Sequence, residues 1–431
     1  MSRLVGLKGI VVVLLASLVA ACATSRPLMP TPSVYADQNW SAFSDVPASL
    51  RTPDVDLLYA TDRKPEEGES SHLPYGFRRS GSLAFGSVKV NLGRDLTWDD
   101  LVKTSVTSKR DLDMEMSLRL VEELGRFPAT PAPHRVVDAS TIIDREYEAK
   151  VDEVGDQLRA EIRRRLAVTP RKEVFIYVHG YGNTFEDAVF AGGEFWHFLG
   201  REGVPIVYSW PAGYPGLFGY TYDRESGEFT VLHFKQMLSL ISEMPEVKAL
   251  HVVAHSRGSD VATTAVRELF IYARGAGVHP LERYKIRNMV LAAPDLDLEV
   301  TQQRLVGELV AYGVGHWTIY YSPADKALSL AETLFASPAG RLGVEDAVVH
   351  YSAEEREGLS SRANITSMIR FAGGESDNYG HSYFRTNPEV SSDLILLLRY
   401  EFAPGTPERP LVPLGPAYWE IPPGYPNDSD S

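Results

Sequence analysis

Short apolar runs rich in Val, Ile and Tyr alternate with longer helical stretches over residues 174–402. Runs of five or six such residues are typical of buried parallel strands, and the longer stretches are typical of helices that connect them. The alternation therefore predicts a parallel sheet built from βαβ units. The predicted strands are residues 174–178, 205–209, 249–253, 288–292, 317–321 and 366–371. The predicted helices include residues 229–244, 261–272, 298–312 and 391–402.

The part of the chain before this alternation predicts two further strands and one long helix. Residues 55–61 and 83–92 suit strands, and the second run alternates apolar and polar positions with Gly86 as a candidate bulge. Between residues 143 and 166, apolar side chains recur every three or four positions, which is typical of one face of an amphipathic helix. We interpret the many charges of this helix as a solvated outer face.

Both ends of the chain lack this periodicity. Residues 23–50 contain several Pro and Ser residues, and this composition predicts a flexible tether. After Phe402, Pro recurs at every third position from Pro404 to Pro416, which fits an extended tail that either wraps the domain or projects from it. The sequence thus predicts one domain over residues 51–402, followed by a Pro-rich tail over residues 403–431.

The first residues have the pattern of a secretory signal. Arg3 and Lys8 precede an unbroken apolar run over residues 10–16, and small residues follow up to Cys22. Residues 19–22 resemble the lipobox of bacterial lipoproteins, which implies removal of residues 1–21 and attachment of lipid to the Cys22 sulfur. A plain signal peptide or an uncleaved transmembrane helix is the alternative, although the apolar run is short for a membrane span. The lipoprotein interpretation predicts a location in the bacterial cell envelope, with residues 22–50 as lipid anchor and tether, and Ala23 favours the outer membrane facing the periplasm.

Composition narrows the chemistry that this domain can perform. Cys22 is the single Cys among 431 residues, so a lipidated chain retains no disulfide, thiol nucleophile or Cys-based metal site. Without residues 1–21 the chain carries 41 basic and 57 acidic residues, and this balance argues against nucleic acid as a partner. The sequence contains neither a His-Glu-x-x-His spacing nor a Gly-rich phosphate loop, so it predicts no metal ion and no other cofactor.

The sharpest local feature is Ala254-His255-Ser256-Arg257-Gly258, which directly follows one predicted strand and precedes a predicted helix. It has the form of a nucleophile elbow, with Ala in place of the first Gly. Small residues are required on both sides of the nucleophile because the turn is tight and the neighbouring elements lie close. Ser256 is therefore the candidate nucleophile of an α/β-hydrolase fold, with a mostly parallel central sheet and helices on both faces.

A serine hydroxyl needs a base to accept its proton and an acid to orient that base, and in this fold the acid and then the histidine follow the nucleophile. Only His350 and His381 lie beyond the plausible acids. We favour His381 because it follows a turn after the last predicted strand, whereas His350 ends an apolar run. Asp325, which follows the fifth predicted strand of the sheet, is the favoured acid. Asp295 and Asp297 are its rivals, and either of them could instead cap the next helix.

Acyl transfer also needs N–H donors for the oxyanion of the tetrahedral intermediate. The candidates are the amide of Arg257, next to the nucleophile, and the amide of Tyr181 in the Gly-rich loop after the first strand of the sheet. Residues 210–222 hold five aromatic side chains among Pro and Gly. This segment is either a cap or acyl-binding wall beside the elbow, or a satellite cluster packed on the body of the domain.

Together these features resemble a bacterial family of α/β hydrolases of unknown function that is grouped with esterase-like and lipase-like proteins. The resemblance covers about residues 55–400 and implies the same Ser, the Asp after the penultimate strand and the His before the last helix. Arg257 departs from related elbows, which often carry Met or another apolar residue. A cation there either favours an acidic substrate or pairs with a carboxylate. The matching segments are residues 58–63, 85–88, 178–181, 209–211, 254–256, 292–295 and 380–383.

Our hypothesis from the sequence is a serine esterase that cleaves carboxylic esters of small molecules or lipids. Ser256 attacks the carbonyl, His381 takes and returns the proton, and Asp325 holds the imidazole. A phospholipase or acyltransferase acting on envelope lipids keeps the same triad and agrees with a lipid anchor. A non-catalytic envelope lipoprotein that uses the fold as a scaffold is the alternative from a different class.

Overall fold

The structure is a computed structural model that describes residues 26–36, 43–66, 74–110, 114–216, 218–335, 340–344, 364–373 and 377–426. Within these residues, twelve strands form one sheet in the order β1-β4-β3-β2-β8-β7-β9-β10-β11-β12-β14-β13, and β5 and β6 form a separate hairpin. The strands are β1 Arg26–Pro27, β2 Asp54–Pro65, β3 Tyr75–Asn91, β4 Glu115–Arg126, β5 His134–Val137, β6 Ser140–Ile143, β7 Glu173–Val178, β8 Val204–Ser209, β9 Ala249–His255, β10 Ile286–Ala292, β11 His316–Tyr321, β12 Thr366–Arg370, β13 Val412–Gly415 and β14 Tyr418–Glu420.

The centre of the sheet is parallel from β2 through β8, β7, β9, β10 and β11 to β12. Every residue of β7, β8 and β9 is buried, as expected of strands that are covered on both faces. Two separate apolar clusters, one on each face, contain the helices that pack there. The prediction of a mostly parallel α/β sheet with helices on both faces is therefore confirmed.

Ten α-helices are found among the described residues. They are α1 Trp98–Ser105, α2 Arg145–Ala167, α3 Phe185–Phe198, α4 Gly219–Ser242, α5 Gly258–Gly275, α6 Pro280–Tyr284, α7 Leu298–Thr301, α8 Lys326–Phe335, α9 Tyr383–Thr386 and α10 Pro388–Leu398. Side chains of the preceding residue cap several of them, as Thr184 does for α3 and Asn387 for α10. The helix predicted over residues 298–312 is divided into α7, a π-helical turn Gln302–Val306 and a 3₁₀ turn Val310–Gly313. Leu309 interrupts it because this residue lies in the left-handed region at φ 62°.

An antiparallel meander of β2, β3 and β4 extends the parallel part of the sheet. The pairing of β3 with β4 changes register between Phe85 and Gly86, at the position where the sequence predicts a bulge. A Cβ at Gly86 would lie 2.0 Å from the carbonyl oxygen of Glu122 and 2.5 Å from the hydroxyl of Tyr59. Glycine is required there because only the absence of a side chain permits this close approach.

The segment before β2 differs from the predicted tether. Leu28, Met29 and Tyr35 are buried in the core, and the Tyr35 hydroxyl donates a hydrogen bond of 2.9 Å to the carbonyl of Phe198. Arg26 forms an ion pair with the buried carboxylate of Glu194. Prolines and the absence of a period suggest an unpacked segment, but these side chains find partners in α3 and become part of the domain.

The signal segment over residues 1–21 and the lipidation candidate Cys22 lie outside the described residues, as does His350. Among the helices that the structure describes, none is both long enough and apolar enough to cross a membrane. The predictions of lipidation and of an envelope location therefore stay predictions.

The C-terminal tail wraps the domain, which was one of the two alternatives left open by its proline pattern. Its strand β14 pairs in parallel with β12, and β13 completes the edge of the sheet. Arg409 and Asp393 form a fully buried ion pair between the tail and α10, with an Nη2–Oδ2 distance of 2.7 Å. Near the end of the described chain, Tyr425 is buried against the same carboxylate, to which its hydroxyl donates at 2.5 Å.

Candidate active site

Ser256 lies in the sharp turn between β9 and α5, with φ at 51°. For a serine this is a strained left-handed conformation of the kind that concentrates at functional sites. The turn is possible because small residues surround it. A Cβ at Gly258 would lie 2.3 Å from the carbonyl oxygen of His179, and a Cβ at Gly180 would lie 2.7 Å from the Cβ of Ser256. The loop after β7 therefore touches the elbow directly.

Backbone hydrogen bonds tie the elbow to the end of β10. The amide of Ser256 donates to the carbonyl of Ala292 at 3.0 Å, and the amide of Asp295 donates to the carbonyl of Ser256 at 3.2 Å. The side chain of Ser256 is 5% exposed. Both the N–H and the C=O of Ser256 are thus hydrogen-bonded in the strained turn. These bonds keep the serine at the carboxyl end of the parallel strands, where open α/β sheets bind their ligands.

His381 and Asp325 meet at the same edge of the sheet, although 56 residues separate them. Nδ1 of His381 lies 2.7 Å from Oδ2 of Asp325, whose side chain is fully buried. The other carboxylate oxygen of Asp325 accepts the backbone N–H of Leu328 at 3.0 Å, so the first turn of α8 holds the acid. Because a carboxylate oxygen accepts, Nδ1 carries the proton in the neutral imidazole and Nε2 is left as the acceptor that a general base requires.

The loop that presents His381 is shaped by Asp377. Its carboxylate accepts the backbone N–H groups of Tyr379 at 3.1 Å, His381 at 2.9 Å and Ser382 at 2.9 Å. Burial alone would raise the pKa of Asp377, but these backbone donors and the nearby imidazole lower it below its ordinary value. Sequence reasoning identified the turn but not this role of Asp377. The signal available was an Asp that precedes a glycine turn, a position from which its side chain can bond the following amides.

The imidazole of His381 lies beside the elbow. Its ring centroid is 4.8 Å from that of His255, the residue before Ser256, and Nε2 of His255 donates to the carbonyl of His381 at 3.3 Å. Between the described side chains, the Ser256 hydroxyl and the His381 imidazole form no hydrogen bond in this structure. Catalytic hydrogen bonds are often long or poorly aligned without substrate and tighten in the substrate complex.

The electrostatics of the site favour a proton on His381. Burial lowers the pKa of this imidazole, but the charge and hydrogen bond of Asp325 and the charges of Asp377 and Asp295 outweigh burial and raise it above the ordinary value. The neighbouring His255 shows the opposite behaviour, because burial and the adjacent His381 hold its pKa well below the ordinary value. Of these two rings, His381 is therefore the one that is suited to carry a proton during a reaction.

The rival acids have other partners. Asp295 accepts a hydrogen bond of 2.6 Å from the Tyr220 hydroxyl and forms a buried ion pair of 2.7 Å with Arg341. Asp297 caps α7, since its side chain accepts the amide of Val300 at 3.1 Å. Neither carboxylate contacts the imidazole through a hydrogen bond within the described residues, whereas Asp325 does.

The candidate oxyanion donors are the amides of Tyr181 and Arg257. Among the backbone hydrogen bonds of the described chain, neither N–H group is paired with a carbonyl. The guanidinium of Arg257 pairs with Asp260 at 2.7 Å and is 9% exposed. This pairing favours the second of the two interpretations of Arg257, in which the cation is matched by a carboxylate of its own helix.

The aromatic segment over residues 210–222 packs on the body of the domain. Trp210 is fully buried and stacks on His179, with 5.1 Å between ring centroids and an interplanar angle of 4°. Tyr214 and Tyr222 stack on each other at 4.7 Å. Tyr220 contacts the ring of Tyr181 at 5.3 Å and so reaches the site. Most of this segment is thus a packed aromatic cluster, and α4 begins within it at Gly219, ten residues before the predicted helix start.

One group of side chains in the described chain has the composition of a metal site, namely Glu173, His251 and Glu401. It lies at the amino end of β7 and β9, opposite the edge that carries Ser256. Arg171 and Arg287 each form ion pairs with Glu173 and with Glu401. The carboxylates are therefore already neutralised by two guanidinium groups, and an additional cation would be disfavoured.

Comparisons with known proteins identify the family. The model of the family "Alpha/beta hydrolase of unknown function (DUF900)" matches residues 155–399. A comparison with curated proteins found no match.

Three solved structures align with about half of the chain. Acyl-protein thioesterase 2 of Zea mays is 15% identical with a TM-score of 0.31, covering 53% of this chain and 94% of that chain. Est1E of Butyrivibrio proteoclasticus, with ferulic acid bound, is 12% identical with a TM-score of 0.28, covering 54% and 89%. An esterase of Pyrobaculum calidifontis is 13% identical with a TM-score of 0.28, covering 54% and 78%. These scores are too low to carry an argument about substrate. Because the family match spans more than half of the chain, the protein belongs to the α/β hydrolases of unknown function.

Proposed function

We propose that this protein is a serine hydrolase that cleaves carboxylic esters with a Ser256-His381-Asp325 triad. The observation that carries the proposal is the 2.7 Å contact between Nδ1 of His381 and the buried carboxylate of Asp325, beside a serine held at φ 51° on a nucleophile elbow. A buried Asp that pairs with a partly exposed imidazole also occurs in purely structural ion pairs. The strained serine at the same edge of the sheet is what favours catalysis.

The chemistry follows from the roles of these three groups. His381 accepts the hydroxyl proton of Ser256 through Nε2 as the oxygen attacks the ester carbonyl, and the amides of Tyr181 and Arg257 donate to the resulting oxyanion. The imidazolium, stabilised by Asp325, then returns the proton to the leaving alcohol and an acyl-serine forms. Water attacks the acyl-serine by the same route, which releases the carboxylic acid and restores the hydroxyl of Ser256.

A fluorophosphonate probe, which reacts covalently with activated serines, tests this proposal directly. The wild-type chain should be labelled and should hydrolyse short-chain esters. Ser256→Ala should lose the label and lower kcat about 10⁴-fold or more, as in other triads. Ser259→Ala is a matched control because this serine lies three residues away and is fully buried. Persistent labelling of Ser256→Ala, or an unlabelled wild type with native circular dichroism, would refute the proposal, and the second result would favour a scaffold role.

We also propose that the chain is anchored in the cell envelope by lipid on Cys22. Cys22 lies four positions before Arg26, which packs on the domain, and four chain steps span at most about 14 Å. An anchored domain would therefore lie directly against the bilayer. Metabolic labelling with a fatty-acid analogue should mark the wild-type chain and not Cys22→Ser, which should move from the membrane fraction to the soluble fraction. Equal membrane recovery of the two chains would contradict the anchor.

A further inference from the structure

The backbone N–H of Tyr181, which is a proposed oxyanion donor, belongs to the peptide unit between Gly180 and Tyr181. The carbonyl oxygen of this unit lies 2.9 Å from Nδ1 of His179, which is fully buried. Because the peptide unit is planar, a hydrogen bond that fixes its C=O also fixes the direction of its N–H. A carbonyl only accepts, so Nδ1 of His179 carries the proton.

The opposite nitrogen of His179 faces a buried arginine. Nη2 of Arg63 lies 3.3 Å from Nε2 of His179. A guanidinium only donates, so Nε2 is the acceptor and the neutral Nδ1–H tautomer satisfies both contacts. Burial and the adjacent Arg63 lower the pKa of His179 to about 3, which keeps the ring neutral. Arg63 therefore selects the tautomer that holds the Gly180 carbonyl.

Arg63 is itself an unusual group, since the residue is 1% exposed and its guanidinium forms hydrogen bonds with the Ser209 hydroxyl, the His179 imidazole and three backbone carbonyls. Its remaining donors bind neutral oxygens. Nη2 donates to the carbonyl of Asn183 at 2.7 Å and Nη1 to that of Ala212 at 2.7 Å, while Nε donates to the Ser209 hydroxyl at 2.9 Å. Burying a cation without a contacting anion is costly. The bonds to Asn183 and Ala212 place this cation where the loop after β7 meets the loop after β8, so Arg63 ties the two loops together.

Asp223 binds the N–H groups of the same two loops. Its fully buried carboxylate accepts the amide of Gly182 at 2.9 Å and that of Gly213 at 3.0 Å. The peptide unit between Ala212 and Gly213 is thus held at both ends, with its carbonyl on Arg63 and its N–H on Asp223.

The peptide unit that follows Tyr181 is fixed in the same manner. Its N–H, which belongs to Gly182, donates to Asp223, and its carbonyl accepts Nδ2 of Asn183 at 3.0 Å. The peptide units on both sides of Tyr181 are therefore held in one orientation before any substrate is bound.

We propose that Arg63 and Asp223 are positioning residues that orient the Tyr181 amide toward the oxyanion. This inference rests on the proposed function, because an oxyanion forms only if Ser256 attacks a carbonyl. Both side chains are buried, with at most 1% of each residue exposed. They act through His179 and through the backbone of residues 180–183 and 212–213, so their removal should weaken binding of the tetrahedral state more than binding of the substrate.

The test compares Arg63→Lys and Asp223→Asn with wild type in the full chain, using one soluble ester and active-site titration. Lysine keeps the charge but lacks the planar fork that reaches several acceptors at once. Loss of one oxyanion donor typically lowers kcat by 10²- to 10³-fold, so a misaimed donor should lower it about 10- to 100-fold. KM should change by no more than about 3-fold, and affinity for a boronic acid, which forms a tetrahedral adduct with the serine, should fall in parallel with kcat.

Arg201→Lys is the matched control. Arg201 is also 1% exposed, and it donates to the carbonyls of Leu50, Thr52 and Asp54, far along the chain from the elbow. This variant should lose thermal stability and keep wild-type kcat per titrated site. If Arg63→Lys does not fold, two other variants decide the outcome, namely Asp223→Asn and Asn183→Ala, the second at a partly exposed residue. We expect kcat to fall in both.

The outcomes separate the two proposals. The positioning role is overturned if the folded variants have the same kcat per titrated site as Arg201→Lys. That result would leave the proposed triad intact. An inactive wild type without Ser256-dependent labelling overturns the proposed function itself.

Discussion

The ion pair between Arg409 and Asp393 offers a sharp test of how the tail stabilises the domain. Both side chains are fully buried, with distances of 2.8 Å from Nε to Oδ1 and 2.7 Å from Nη2 to Oδ2. The hydroxyls of Tyr320 and Tyr425 donate to the same carboxylate at 2.6 Å and 2.5 Å. Arg409→Met keeps much of the apolar volume but leaves the Asp393 carboxylate buried without its cation.

The expected cost follows from the burial of that carboxylate. Breaking a buried pair by removing one partner costs about 3–5 kcal/mol. We expect the lower part of this range, about 3 kcal/mol, because the two tyrosine hydroxyls still solvate the charge. Unfolding entropies near 2.1 cal/mol/K per residue give about 0.8 kcal/mol/K for about 400 residues, so Tm should fall by about 4 °C.

Denaturant unfolding at fixed pH measures this cost, and a double-mutant cycle identifies its origin. Asp393→Asn combined with Arg409→Met removes the unpaired charge and should recover part of the stability lost in Arg409→Met alone. Arg163→Met is the control, because the ion pair of Arg163 with Glu246 is exposed to solvent, which screens it, so its loss should leave the stability almost unchanged. A loss below 1 kcal/mol for Arg409→Met, or a double variant no more stable than that single variant, would refute the reasoning.

Two further predictions concern the site. The pKa of His381 is raised above its ordinary 6.5, and the base must be unprotonated to act, so kcat/KM should rise with pH through a midpoint above 6.5. Asp325→Asn should move this midpoint to lower pH and reduce kcat about 10⁴-fold, and an unmoved midpoint would exclude Asp325 as the partner. Gly258→Ala should lower kcat at least 10-fold, because its Cβ would lie 2.3 Å from the carbonyl oxygen of His179, in the loop that carries the Tyr181 amide. Gly275→Ala, with no atom within 4 Å of its Cβ at the end of the same helix, should keep full activity.

The parallel core could be predicted from sequence because its strands are buried on both faces and appear as continuous apolar runs. Local sequence patterns do not reveal the distant contacts that determine whether the two ends of the chain pack on the domain. The segment from Arg26 to Tyr35 has no period, yet it is ordered by Glu194 and Phe198, more than 160 residues away. The division of the helix over residues 298–312 depends on Leu309 adopting a left-handed conformation, for which leucine carries no signal.

In the candidate site too, local patterns predict some residues, whereas the roles of others depend on distant contacts. The elbow and the loop of His381 have turn residues that can be recognised in one sequence, and the order Ser, Asp, His restricts the choice of partners. Arg63 was part of a matched segment, but its role depends on bonds to Asn183 and Ala212, which are 120 and 149 residues away. Buried charges that bind backbone groups cannot be distinguished by composition from charges at the surface.

The place of Arg409 and Tyr425 in the fold also bears on the order of events during synthesis. Both residues are synthesised after Asp393 and β12, and until they dock, Asp393 lacks its cation and β12 lacks its outer neighbour β14. The domain can therefore complete its sheet only after residues 409–425 have been synthesised and have docked on it.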